Sequence, residues 1–74
     1  MHYKQLTAII HKEENSYVAL CPELDIASQG ATIEESKNNL KEAVELFFEC
    51  ASEKEINQRY YGETYISSME IAFG

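Results

Sequence analysis

The stretch TIEESKNNLKEAVELFFECASE, residues Thr32 to Glu53, decides the fold. It begins with a capping box: Thr32 is placed to accept the backbone N–H of Glu35, and the Glu35 side chain to reach back to Thr32. Ile33, Leu40, Val44, Phe47 and Ala51 follow at a spacing that draws one apolar stripe along a helix. At about 100° per residue, Glu35, Glu42, Glu45, Glu49 and Glu53 fall within an arc of roughly 80° on the opposite side. One face needs a core; the other is a row of carboxylates. The remaining residues must supply a surface that covers the stripe.

Upstream, Tyr3 to Lys12 alternates, with Leu6, Ala8 and Ile10 on one face and Gln5, Thr7, Ile9 and His11 on the other, which predicts a strand. Glu13 to Ser16 is a polar turn of hairpin length. Tyr17-Val18-Ala19-Leu20-Cys21 is apolar on both faces and so reads as a central strand. Pro22 has no N–H for a ladder, so pairing breaks there, and Cys21 to Asp25 forms a loop or bulge before a short third strand around Ile26 to Gln29. Gly30 ends that strand, where a positive φ is expected before the helix cap. Downstream, Lys54 to Glu63 is a polar connection with a turn at Tyr60-Tyr61-Gly62. Thr64 to Phe73 alternates again, with Tyr65, Ser67, Met69, Ile71 and Phe73 facing away from Thr64, Ile66, Ser68, Glu70 and Ala72.

The expected architecture is α+β, β-β-β-α-β in one domain spanning residues 1–74. The first three strands form an antiparallel meander, and a right-handed crossover through the helix sets strand four parallel to strand one, in the order 3-2-1-4. Strand four is then an unprotected edge, and Ile66, Ser68 and Glu70 on it are the expected contacts of a homodimer.

A chain of 74 residues buries a small core, a second reason to expect an oligomer. Thirteen acidic against six basic residues give a net charge of −7, which argues against direct nucleic-acid binding and for a basic protein partner. Cys21 and Cys50 lack metal-ligand spacing and read as reduced, buried thiols. The N-terminus has no signal-peptide pattern and no run is long enough to span a membrane, so the cytoplasm is the expected compartment. No cofactor motif, metal site or catalytic constellation is expected. Asp25 is the single aspartate, Glu70 and the helix glutamates do not converge, and His2 and His11 lie an odd number of residues apart on one strand, hence on opposite faces.

Four segments fall in order: Tyr17-Val18-Ala19, Cys21-Pro22-Glu23-Leu24, Gln29-Gly30-Ala31-Thr32-Ile33-Glu34-Glu35-Ser36, and Leu40-Lys41-Glu42-Ala43. Together they resemble the HicB antitoxin family over roughly residues 3–48. The chain differs at Asp25-Ile26-Ala27, where the family usually has a Pro-Gly-Cys type turn, and it is expected to carry no C-terminal DNA-binding segment. The resemblance implies a truncated, degenerate ribonuclease H fold, and a protein that masks a small basic, mRNA-cleaving toxin (HicA-like). Glu42, Glu45, Leu46 and Glu49 are the candidate partner-binding residues; the other reading is an ordinary solvated helix face with one scattered leucine. Pro22, Glu23, Leu24 and Gly30 read as architectural, setting the loop and the helix entry; the other reading, implied by the resemblance, is a role at the toxin-facing edge. Two further functions stay open: a stand-alone binding module with no toxin, and, least favoured by its carboxylate placement, a metal-dependent nuclease.

Overall fold

A computed structural model describes residues 5–60 and 63–74. Three strands come first, β1 (Ile9–Glu13), β2 (Ser16–Cys21) and β3 (Ile26–Gly30), followed by helices α1 (Ile33–Cys50) and α2 (Glu53–Arg59). The sheet is antiparallel in the order β1-β2-β3, so the doubly apolar β2 is central as expected. Register runs from Ile9 opposite Leu20 to Glu13 opposite Ser16, and from Tyr17 opposite Gly30 to Cys21 opposite Ile26.

The β1–β2 connection is the two-residue loop Glu14-Asn15, and Glu14 adopts the positive φ (41°) that so tight a hairpin needs. A second positive φ (54°) falls on Asp25 between β2 and β3. Gly30 is not in the left-handed region. A Cβ built there would lie 2.6 Å from Ser36 N and 2.9 Å from Glu35 C, so glycine is required because the backbone of α1 passes directly against β3. This close passage fixes the angle at which the helix crosses the sheet.

Thr32 caps α1 by accepting Glu35 N–H at 3.0 Å, and Glu35 Oε1 returns to Ala31 N–H at 3.0 Å, one residue earlier than expected. The buried face of α1 is Ser36 and Leu40, continued by half-buried Val44, Phe47 and Phe48. Ile33, assigned to the stripe from its spacing, is 56% exposed: it is the first helical residue and lies ahead of the close passage at Ser36. Ser36 is buried in its place, with its hydroxyl donating to Ile33 O at 2.8 Å. Ala19, Cys21, Leu24 and Leu40 form the closed core, with Leu6, Ile10, Ile26 and Tyr60 packed around it.

Three further expectations change. The region 54–63, read as a polar connection, contains α2, whose N-cap Ser52 accepts Glu55 N–H at 3.2 Å; Glu53 therefore starts α2 and does not end α1. Cys50 is exposed, while Cys21 is buried. Residues 63–74 carry no strand and pair with no neighbour among the described residues, so the three-stranded sheet stands where the order 3-2-1-4 was expected. Alternation specifies which side chains share a face, and a ladder also needs an adjacent backbone, which none of the described residues supplies. Ile66, Ser68 and Glu70 of the expected dimer edge are all exposed in that segment. His2, Tyr3, Tyr61 and Gly62, which entered the expectations for the first strand and the turn, lie outside the described residues. No described helix is long and apolar enough to cross a membrane.

Candidate functional site

Four residues share the outer side of α1. Glu42, Glu45 and Glu49 stand at i, i+3 and i+7, so their carboxylates line about two turns, some 10 Å of helix. Leu46 stands among them at 58% exposure, and all four are turned away from the sheet. None of the three glutamates forms an ion pair within 4.0 Å among the described residues, where the single such pair is His11 with Glu13 at 3.2 Å. The stripe thus has an apolar centre, an uncommitted acidic border and no intramolecular task. Glu35 and Glu53, which projection placed in the same row, are set apart from it. The first is held by the cap at Ala31 N–H and the second opens α2.

The stripe also runs against the electrostatics of its own helix. Glu49 lies in the last turn of α1, which holds no basic residue, although the partial negative charge of a helix C-terminus favours cations there. Glu45 and Glu49 repel each other at i,i+4, at a cost of about 0.2–0.5 kcal/mol.

Beneath the helix, the segment Cys21-Pro22-Glu23-Leu24 has distinct duties. Leu24 fills the core. Glu23 holds the chain ahead of β1: its carboxylate accepts Thr7 N–H at 3.0 and 3.1 Å and the Thr7 hydroxyl at 2.6 Å, beyond the last ladder pair, where Pro22 offers no N–H. Removal from water pushes the Glu23 pKa up and is the largest single influence. The Thr7 hydroxyl and N–H, its own N–H and the Cys21 thiol outweigh it together, so the carboxyl sits below its usual 4.5. Burial raises the pKa of the Cys21 thiol, which keeps its proton and donates it towards Glu23 Oε1 at 3.5 Å. Both groups act as structural elements, tying the β2–β3 loop to the chain ahead of β1.

One anchor escaped the sequence reading. Arg59 donates to Leu24 O at 3.0 Å and places its guanidinium 5.7 Å from the Phe47 ring centroid, which fastens α2 to both the β2–β3 loop and α1. The signal for it was Ser52-x-x-Glu55, a second capping box one turn before Ile56, with a basic residue where the helix would end. Among the described residues, no group of three His, Cys, Asp or Glu side chains is placed to hold a metal ion.

Fold and site together define a small α+β protein in which a three-stranded antiparallel sheet carries one long helix with an acidic outer stripe. The chain belongs to the UPF0150 family. It is 38% identical over 69 residues to a UPF0150 protein of Helicobacter pylori strain J99, an alignment covering 92% of this chain and 96% of that protein. It is 49% identical over 47 residues to a UPF0150 protein of a Synechocystis strain, covering 61% of this chain and 65% of that protein. No family model matches the chain, and no solved structure does.

Proposed function

We propose that the chain is a HicB-like binding protein that neutralises a small basic, mRNA-cleaving toxin of the HicA-like kind by direct contact, and that it performs no catalysis itself. Its proposed partners are that toxin and a second copy of the chain. The fuller fold goes with the same reading: a fourth strand at 64–73, giving the order 3-2-1-4 of a truncated ribonuclease H fold. The observation that carries the proposal is the outer stripe of α1, where Glu42, Glu45 and Glu49 border exposed Leu46 and engage nothing else. A net charge of −7 supports attraction of a basic partner and opposes direct binding to RNA.

The test is capture by the tagged full chain at low and moderate salt, followed by an mRNA-cleavage assay on the captured small basic protein. The expected result is cleavage that stops when this chain is added. The triple variant Glu42→Gln, Glu45→Gln, Glu49→Gln should slow association by about tenfold or more at low salt and little at high salt. Capture of no small basic protein, or of one that leaves RNA intact, overturns the reading. An unchanged association rate in the triple variant removes the stripe from it.

A further inference from the structure

Residues 64–73 have the period of two of a strand with one strongly apolar face, yet they are exposed throughout: Tyr65 at 85%, Met69 at 84% and Phe73 at 94%. Among the described residues, five of the eight exposed large hydrophobics lie in this segment. Among the described residues no hydrogen bond joins it to a strand or helix; Tyr65 reaches only its neighbour Glu63. An apolar face of that length is costly to leave in water and marks a contact surface.

Its complement lies in the same molecule. β1 is a terminal strand with one edge unpaired among the described residues. α1 packs over β3 and β2 and scarcely reaches β1, so the helix side of the sheet is open beyond Leu6 and Ile10, both only partly buried. The opposite edge is not equivalent, because Asn39 Nδ2 donates to Gln29 O at 2.8 Å and α1 thereby occupies a carbonyl of β3. Lengths also agree: at about 3.3 Å per residue, 64–73 and the run 5–13 each span roughly 30 Å. Glu23 keeps the first part of that run in line by holding Thr7.

We infer that residues 64–73 of one copy add as a strand to the free β1 edge of a second copy, each donating its segment to the other. This rests on the homodimer of the preceding section and specifies how it is made; it does not depend on the toxin. A second copy is the occupant because the unpaired segment and the unpaired edge belong to one chain. A two-fold exchange therefore satisfies both edges and both segments at once. Within a single copy the segment stands clear of that edge, with a long axis of 49 Å and a radius of gyration of 14.4 Å against about 11 Å for a compact domain of this length, which favours a second copy as the acceptor. Each half then reads 3-2-1-4 with its fourth strand supplied by the other copy. The Tyr65–Phe73 face lies on the helix side beside Leu6 and Ile10, and Ile66 joins Ile9 on the other side.

The test is light scattering of the full chain together with isotope-filtered NOE spectroscopy on an equimolar mixture of labelled and unlabelled protein, mixed under unfolding conditions and refolded. Twice the chain mass, with NOEs from Met69 or Ile71 methyls of one copy to Leu6 or Ile10 methyls of the other, is the expected result. Ser68→Pro removes a ladder donor from a residue outside the core; it should give a monomer with unchanged helical circular dichroism. A dimeric mass with such NOEs only within one chain, or with none to β1, overturns the exchange and leaves the homodimer standing. A single-chain mass at NMR concentration overturns both.

Discussion

Glu23 shows how much one side chain contributes in a domain with so thin a core. It accepts three contacts from Thr7 and one from Cys21, and it replaces a strand partner where Pro22 ends the ladder. Hydrogen bonds to a charged group are worth about 1.5–3 kcal/mol each when lost, less where solvent partly compensates. Glu23→Gln is therefore expected to lower stability at neutral pH by about 1–2 kcal/mol, near 4–8 °C in Tm per kcal/mol, measured by thermal denaturation. The pH dependence has a definite sign. The folded carboxyl has a lowered pKa, so its contribution is complete above the unfolded value near 4.5 and is lost as pH falls through the folded value. The stability gap between wild type and Glu23→Gln should thus narrow on acidification from pH 5 downward; a gap constant with pH would show that the charge is not what Thr7 requires. The sequence placed Glu23 among architectural residues, but its partner sixteen positions away was invisible because no local period links a loop carboxylate to Thr7 ahead of β1.

At the scale of elements, β2, β3 and α1 were legible because each carries a local mark: apolar runs, a polar turn, a capping box; β1 was read over 3–12 from its alternation, but its ladder covers only Ile9–Glu13 and the turn only Glu14-Asn15. α2 was missed because seven residues complete fewer than two full turns and show no stripe, although its cap was present in the sequence. The segment 64–73 was read as a strand from its alternation, which is real, but the neighbour that would pair with it is a nonlocal fact. Gly30 gives the clearest case of a right residue with the wrong reason. Its φ is ordinary, and what forbids a side chain is the backbone of α1 at 2.6 Å, a distance no spacing rule reveals. Gly30→Ala must push the helix off β3, and the expected loss is about 1–3 kcal/mol by denaturant titration. An unaffected midpoint would mean the crossing is loose. Of the candidate site, Leu46 and the three glutamates were readable because they sit where an isolated helix has no use for them. That Glu35 leaves the row follows from the capping box already legible in the sequence, whereas that Glu53 leaves it could be seen only once the start of α2 was in place.

At the scale of the whole molecule, four of the described hydrophobic residues are buried in the core, and Tyr65, Ile66, Met69, Ile71 and Phe73 in the segment 64–73 are exposed. The fold is therefore lopsided, well sealed between β2, β3 and α1 and open beside β1. Arg59 adds a further asymmetry. α2 is held by one guanidinium to Leu24 O and Phe47 and by its C-cap Tyr60, half-buried against the core, with no fully buried residue of its own. Such an element belongs to the low end of the opening free-energy scale. The amides of 56–60 should exchange with deuterium well before those of β2 and the middle of α1, and Arg59→Ala should widen that difference while leaving β2 protection unchanged. Equal protection across both would make α2 part of the globally cooperative unit. If α2 opens first, Phe47 and the Leu24 carbonyl are uncovered together while the sheet stays intact. The chain would then have a latch whose release is a sub-global fluctuation, sampled many times within the lifetime of the native state.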